Sequence, residues 1–150
     1  MRFVTHSESE TEEVGRKLGQ GLAEPRIILL TGRLGAGKTA FTRGLACGLG
    51  LEDPSQVHSP TFSLINQYPI RSRTLYHIDL YRLDGNRDFY SIGLEELVDG
   101  EKFVVIEWAE KLPWRIPDPL RITLEVLSDF ERLIRIDDLT VEEKNPLADG

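Results

Sequence analysis

"TGRLGAGKTAFTRGL", residues 31–45, is the stretch on which the reading of the fold turns. Within it, Gly32-Arg33-Leu34-Gly35-Ala36-Gly37-Lys38-Thr39 fits the P-loop pattern G-x-x-x-x-G-K-[ST]. The glycines free the backbone for conformations closed to other residues and let its N–H groups face phosphate oxygens. A helix predicted from about Lys38 points its positive end at the same anions. Gly32, Leu34, Gly35, Ala36, Gly37, Lys38 and Thr39 are therefore candidate nucleotide-binding residues. Lys38 is expected at the β- and γ-phosphates, and the Thr39 hydroxyl on Mg²⁺. The motif implies a bound nucleoside triphosphate and does not choose among kinases, motors, switches and assembly factors.

The flanks fit a P-loop context. Ile27-Ile28-Leu29-Leu30 is a continuous apolar run, the pattern of a strand buried on both faces of a parallel sheet. Beyond the motif, Phe41, Leu45 and Leu49 share one helix face. Gly44 and Gly48 share another, where a neighbour could approach closely, and Gly50 and Pro54 end the helix. Toward the N-terminus, Arg2–Thr5 reads as a short strand and Ser9-Glu10-Thr11-Glu12 as a capping box. Val14, Leu18 and Leu22 follow on one helix face, with Gly21 and Pro25 bracketing its end.

Downstream, Ser59–Ile65 reads as a turn feeding a strand, and residues 74–83 as a second apolar stretch of alternating character. Pro69 and Arg71-Ser72-Arg73 suggest a hairpin loop between them. A short helix is expected within 88–97, and an apolar strand at Phe103–Ile106 that stops at Glu107-Trp108. Pro113, Pro117 and Pro119 mark a loop. Arg121–Leu127 and Arg132–Ile136 alternate like strands about a turn at 128–131. The expected fold class is α/β: a P-loop NTPase-like sheet core with flanking helices and antiparallel strand extensions. One domain is expected over residues 1–140, followed by a polar C-terminal tail, 141–150.

Bulk composition narrows the function classes. The chain has 150 residues, enough for one real hydrophobic core. Its net charge is −7 and its basic residues are scattered, apart from Arg71-Ser72-Arg73. Unaided nucleic-acid binding, which usually leaves a basic patch or stripe, is therefore disfavoured, whereas binding through a partner protein stays open. Cys47 is the one cysteine, so no internal disulfide forms. The polar, acidic start lacks an apolar signal core, no apolar run reaches membrane-spanning length, and a cytoplasmic protein is expected.

A P-loop enzyme also needs a carboxylate at a strand end to hold the Mg²⁺ shell. Asp79 has the more usual residue type, and Glu107 follows the cleaner apolar run, with the better claim to a central strand. Ser59-Pro60-Thr61 reads equally as a switch segment whose threonine senses the γ-phosphate or as a proline-stiffened turn. His77 reads as structural. Three scattered histidines and one cysteine offer no zinc site.

Taken in order, "GRLGAGKT", "SPTFSLINQY", "YHIDLYRL" and "VVIEW" resemble the TsaE (YjeE) family, P-loop ATPases of tRNA threonylcarbamoyladenosine synthesis. The resemblance covers residues 7–135. It implies ATP and Mg²⁺ as cofactors, TsaB and TsaD proteins as partners, and contact with tRNA only through that complex. Residue by residue it implies Lys38 on the phosphates, Thr39 and Glu107 as Mg²⁺ ligands, and Asp79 as an essential acid near the metal. It further implies Thr61 as a switch-like hydroxyl, Trp108 beside the nucleotide, and Glu8 and Arg132 at the adenine pocket. Two positions depart from the family pattern: Glu131 stands where glycine usually precedes the late basic residue, and Ala109 where proline often follows Glu-Trp. Two other readings remain: a small-molecule P-loop kinase, for which no arginine-rich lid is visible in the sequence, and a nucleotide-gated assembly module with incidental hydrolysis.

Overall fold

The apolar run before the P-loop forms strand β2 (Ile27–Thr31), in which Ile27, Ile28, Leu29 and Leu30 are all buried. Around it a computed structural model describes residues 1–60, 64–71, 73–83, 93–113, 115–116 and 118–138. β2 lies between β5 (Phe103–Glu107) and β6 (Leu120–Ser128), parallel to both. β4 (Arg73–Asp79) continues the parallel set beside β5, and β3 (Ile65–Ile70) closes that side antiparallel to β4. On the other side β7 (Glu131–Asp138) and β1 (Arg2–Thr5) add antiparallel strands, giving the order β1-β7-β6-β2-β5-β4-β3. The expected parallel core with antiparallel extensions is this sheet. Pro69 sits in the edge strand β3, where a missing N–H costs no ladder bond on the open side.

Helices α1 (Glu8–Gly21) and α2 (Lys38–Leu49) cover one face of the sheet. Phe41 and Leu45 of α2 are fully buried there, each contributing about 1.5–3 kcal/mol of hydrophobic stabilisation. The other face carries a second core built on Ile27, Leu29, Ile78, Val104 and Ile106, packed with Leu94 of the short helix α3 (Leu94–Leu97). The rest of the predicted 88–97 helix, Thr61 and the 141–150 tail lie outside the described residues. Among the described residues no helix is long and apolar enough to cross a membrane.

The cap of α1 falls two residues earlier than expected. Ser7, not Ser9, is the N-cap; its hydroxyl accepts from the Glu10 N–H at 3.1 Å, while the Glu10 carboxylate accepts from the His6 N–H at 2.9 Å. The pattern S/T-x-x-E occurs in both registers, and the pairing of β1 with β7 through Thr5 selects the earlier one. Thr11 is left to share a buried hydrogen bond with Thr5, 2.8 Å between hydroxyls.

The glycines of α2 do what their spacing suggests, and α1 answers in kind. A Cβ on Gly44 would overlap the Glu12 carbonyl oxygen, and one on Gly48 the Arg16 carbonyl oxygen. Gly15 and Gly19 of α1 stand equally tight against the Phe41 and Leu45 carbonyls. The backbones touch, so any side chain here must push the helices apart. Gly44→Ala is expected to destabilise the protein by about 1–3 kcal/mol, the usual range for overpacking, in denaturant unfolding. Gly21→Ala, with nothing within 4 Å of the added methyl, is expected to be neutral or to stabilise by up to about 1 kcal/mol. Equal responses of the two variants would show that the crossing is not tight.

Candidate functional site

All parallel strands end on the same side of the sheet, and the loop after β2 closes over that end. Gly35 and Gly37 adopt φ of +80° and +102°, backbone that only glycine takes without strain. Gly37 is also the N-cap of α2 and offers no capping side chain, so the first-turn N–H groups remain available to an anion. Ala36 is fully buried, its methyl in the core rather than the cavity.

Lys38 folds back along the loop. Its ammonium donates to the Gly32 carbonyl at 2.5 Å, lies 3.6 Å from Glu107 Oε1, and stands 5.3 Å from the centre of the Trp108 ring. The Thr39 hydroxyl meets that of Ser59 at 2.9 Å. Glu107 and Asp79 are register partners at the ends of β5 and β4, so both carboxylates arrive beside the P-loop. Glu107 is almost wholly buried (2% exposed). Asp79 accepts from the Tyr81 N–H at 2.9 Å; burial first, and the facing Glu107 second, hold its carboxyl above the ordinary carboxylate range, although the Tyr81 bond opposes this.

These groups line one cavity of about 750 Å³. Of the sequence candidates, Leu34, Gly35, Gly37, Lys38, Thr39, Asp79, Glu107, Trp108, Glu8 and Arg132 all face it. Arg132 reaches the loop itself, donating to the Gly35 carbonyl at 3.2 Å, while Glu8 is mostly exposed and pairs with Arg43 at 3.3 Å. Gly32 and Ala36 support the loop from behind, and Thr61 lies outside the described residues. Sequence reading missed His6, Ser7, Thr11, Tyr81 and Phe130 on the cavity wall. Tyr81 lies within the YHIDLYRL motif, and Phe130, an aromatic side chain in a polar turn, stands 80% exposed.

The donor chemistry fits a small hard cation. The Thr39 and Ser59 hydroxyls and two carboxylates present oxygen only, the set from which Mg²⁺ takes one or two protein ligands while phosphate and water complete its shell. Among the described residues no three His, Cys, Asp or Glu side chains group closely enough to hold a metal by themselves, so such an ion would share its shell with a bound phosphate.

His77, read from the sequence as structural, is fully buried as that reading expects, and its partner is the acid of the neighbouring strand. It touches not the nearby Asp79 but Glu107, Nε2 to Oε2 at 2.6 Å. In β4 the alternation places Leu75, His77 and Asp79 on one face, beneath α2, which puts His77 one strand away from Glu107.

Comparison with known proteins agrees with this architecture. A family model described as threonylcarbamoyl adenosine biosynthesis protein TsaE matches residues 5–134. A Treponema pallidum protein named tRNA threonylcarbamoyladenosine biosynthesis protein TsaE is 42% identical, the alignment covering 91% of this chain and 99% of that one. An Aquifex aeolicus protein of the same name is 38% identical over 89% of this chain and 92% of its own. A crystal structure described as Bacillus subtilus YdiB superposes with a TM-score of 0.71 at 28% identity, covering 100% of this chain and 96% of that chain. With the match spanning nearly all of the sheet and every strand that ends at the cavity, the chain belongs to the TsaE family.

Proposed function

We propose that the chain is the ATP-binding and ATP-hydrolysing subunit required for threonylcarbamoyl modification of the adenosine adjacent to the anticodon in tRNA, acting with TsaB and TsaD proteins. The observation that carries this reading is the facing of Lys38 and Thr39 with Asp79 and Glu107 across one cavity, in a chain of this family. The first turn of α2 and Lys38 bind the phosphates as fixed positive charge. Thr39 and Glu107 would hold Mg²⁺, which supplies neutralisation of the charge on the β- and γ-phosphates. Asp79, the register partner of Glu107, would orient the attacking water. Trp108, Glu8 and Arg132 form the walls toward the nucleoside. Thr61 is assigned a γ-phosphate-sensing role from the family motif alone.

The acidic surface fits a subunit that reaches tRNA through its partners in the cytoplasm rather than by its own charge. We further propose a single domain over residues 1–140 followed by a polar tail, 141–150.

Two measurements test the reading. Lys38→Ala is expected to weaken ATP binding at least tenfold, and Glu107→Gln to lower the hydrolysis rate by roughly 100-fold, the usual scale for losing a group that stabilises developing charge. Wild-type binding and turnover in both variants would exclude the assigned site. Secondly, the ATPase rate is expected to rise when TsaB and TsaD are added. A rate indifferent to them would overturn the partner assignment, and phosphate transfer to a metabolite faster than to water would mark a small-molecule kinase instead.

A further inference from the structure

Behind the nucleotide-facing side of Glu107 runs a chain of buried polar groups. His77 Nε2 meets Glu107 Oε2 at 2.6 Å, and His77 Nδ1 meets the Tyr68 hydroxyl at 3.1 Å. That hydroxyl is also 3.1 Å from the His58 carbonyl oxygen. Asn66 closes the cluster, its amide donating to the same carbonyl at 2.9 Å and reaching the Tyr68 oxygen at 3.3 Å. His77 is 0% exposed, and Tyr68 and Glu107 are 2% exposed. The surroundings are otherwise the apolar core under α2.

Stability does not explain this cluster. Burying polar groups is costly unless each is satisfied, and a well-packed apolar replacement is often as stable or more so. What the cluster provides is direction. A carboxylate oxygen accepts, so the His77 proton that faces Glu107 sits on Nε2, and Nδ1 is the ring atom that meets Tyr68. The single Tyr68 proton lies between Nδ1 and the His58 carbonyl, to which the Asn66 amide also donates. Each partner fixes the next. The far end is not idle either: His58 adjoins Ser59, whose hydroxyl holds that of Thr39. The chain of contacts thus runs from one oxygen placed for the metal, on Glu107, round to the other, on Thr39.

We propose that His77 and Tyr68 are positioning residues of the nucleotide site. They hold the Glu107 carboxylate in one orientation and tie it to the His58–Ser59 backbone, so that Glu107 and Thr39 meet the cation as one preorganised pair. This assignment rests on the Mg²⁺–ATP site proposed above.

The test uses the full chain with Tyr68→Phe, His77→Leu and His77→Gln. ATP binding is titrated with and without Mg²⁺, and thermal unfolding is recorded alongside. Tyr68→Phe and His77→Leu are expected to raise the Mg²⁺ concentration for half-maximal ATP binding about tenfold while leaving Mg²⁺-free binding within about twofold, as for partners that orient a metal ligand. His77→Gln keeps an N–H for Glu107 and is expected to recover most of the loss. A merely structural role would lower the unfolding temperature without this selective Mg²⁺ effect. In the nucleotide-free protein, nitrogen NMR is expected to show His77 protonated on Nε2. An Nδ1–H tautomer, or an unchanged Mg²⁺ dependence in folded Tyr68→Phe, overturns the proposal. If the unaltered chain binds no ATP with Mg²⁺, the nucleotide reading falls and this one with it. If it binds and the variants match it, only the positioning role falls.

Discussion

A carboxylate buried to 2% exposure at the end of a central strand is the constraint around which this molecule is arranged. An isolated charge in such a place is prohibitively unfavourable, so Glu107 must be held by groups of complementary character. Lys38 supplies opposite charge at 3.6 Å from one oxygen, and His77 supplies a hydrogen bond at 2.6 Å to the other. These partners come from the start of α2, the helix that follows β2, and from β4; β2 and β4 flank β5 on either side. The parallel order β2-β5-β4 is therefore what makes the buried acid tolerable, and the same order brings Asp79 alongside. The buried acid and the P-loop lysine are two ends of one electrostatic arrangement.

Holding Lys38 there requires α2 to sit at a fixed height over the sheet. The crossing with α1 sets that height through backbone contact, since Gly15, Gly19, Gly44 and Gly48 leave no side chain to act as a compliant spacer. Phe41 and Leu45, on the adjoining face of α2, then anchor it into the core. A helix held on two adjoining faces cannot shift without breaking one packing surface or the other. The first turn of α2, which carries Lys38 and Thr39, inherits that rigidity. α1 in turn begins at Ser7 and Glu8 on the cavity wall, so the same crossing positions the N-terminal side of the pocket.

Much of this was legible in the sequence because it follows from local periodicity. Ile27–Leu30 and Phe103–Ile106 announce buried parallel strands, and Gly44 and Gly48 announce a close neighbour. The reciprocal Gly15 and Gly19 went unread because their fit depends on which helix comes to meet them. The cap at Ser7 was missed for a similar reason: two overlapping Ser-x-x-Glu registers are equivalent until β1 pairs with β7. His77 illustrates the limit most clearly. Its alternation with Asp79 fixes its face, but nothing local says that β5 lies beside β4 in a register that presents Glu107. Contacts made across strands remote in sequence, such as Arg132 on the Gly35 carbonyl, are invisible until the order β1-β7-β6-β2-β5-β4-β3 is known.

The residue after Glu107 shows the opposite economy. Trp108 adopts φ of +62°, left-handed backbone that costs a non-glycine residue about 1–2 kcal/mol. Glycine would relieve the strain, and the turn that follows, Ala109–Lys111, demands no side chain at 108. What the tryptophan adds lies on the cavity wall: its ring packs on Tyr81 at 5.1 Å between centres and faces the Lys38 ammonium. Tyr81 is itself held from below, its carbonyl taking a hydrogen bond from Lys111 at the end of the same turn. The strained step therefore turns the chain away from β5 abruptly enough to lay an aromatic wall beside Lys38, and the turn it starts returns a lysine to fasten that wall. Local backbone preference and site geometry oppose each other at this residue, and the geometry that persists is the one the cavity needs.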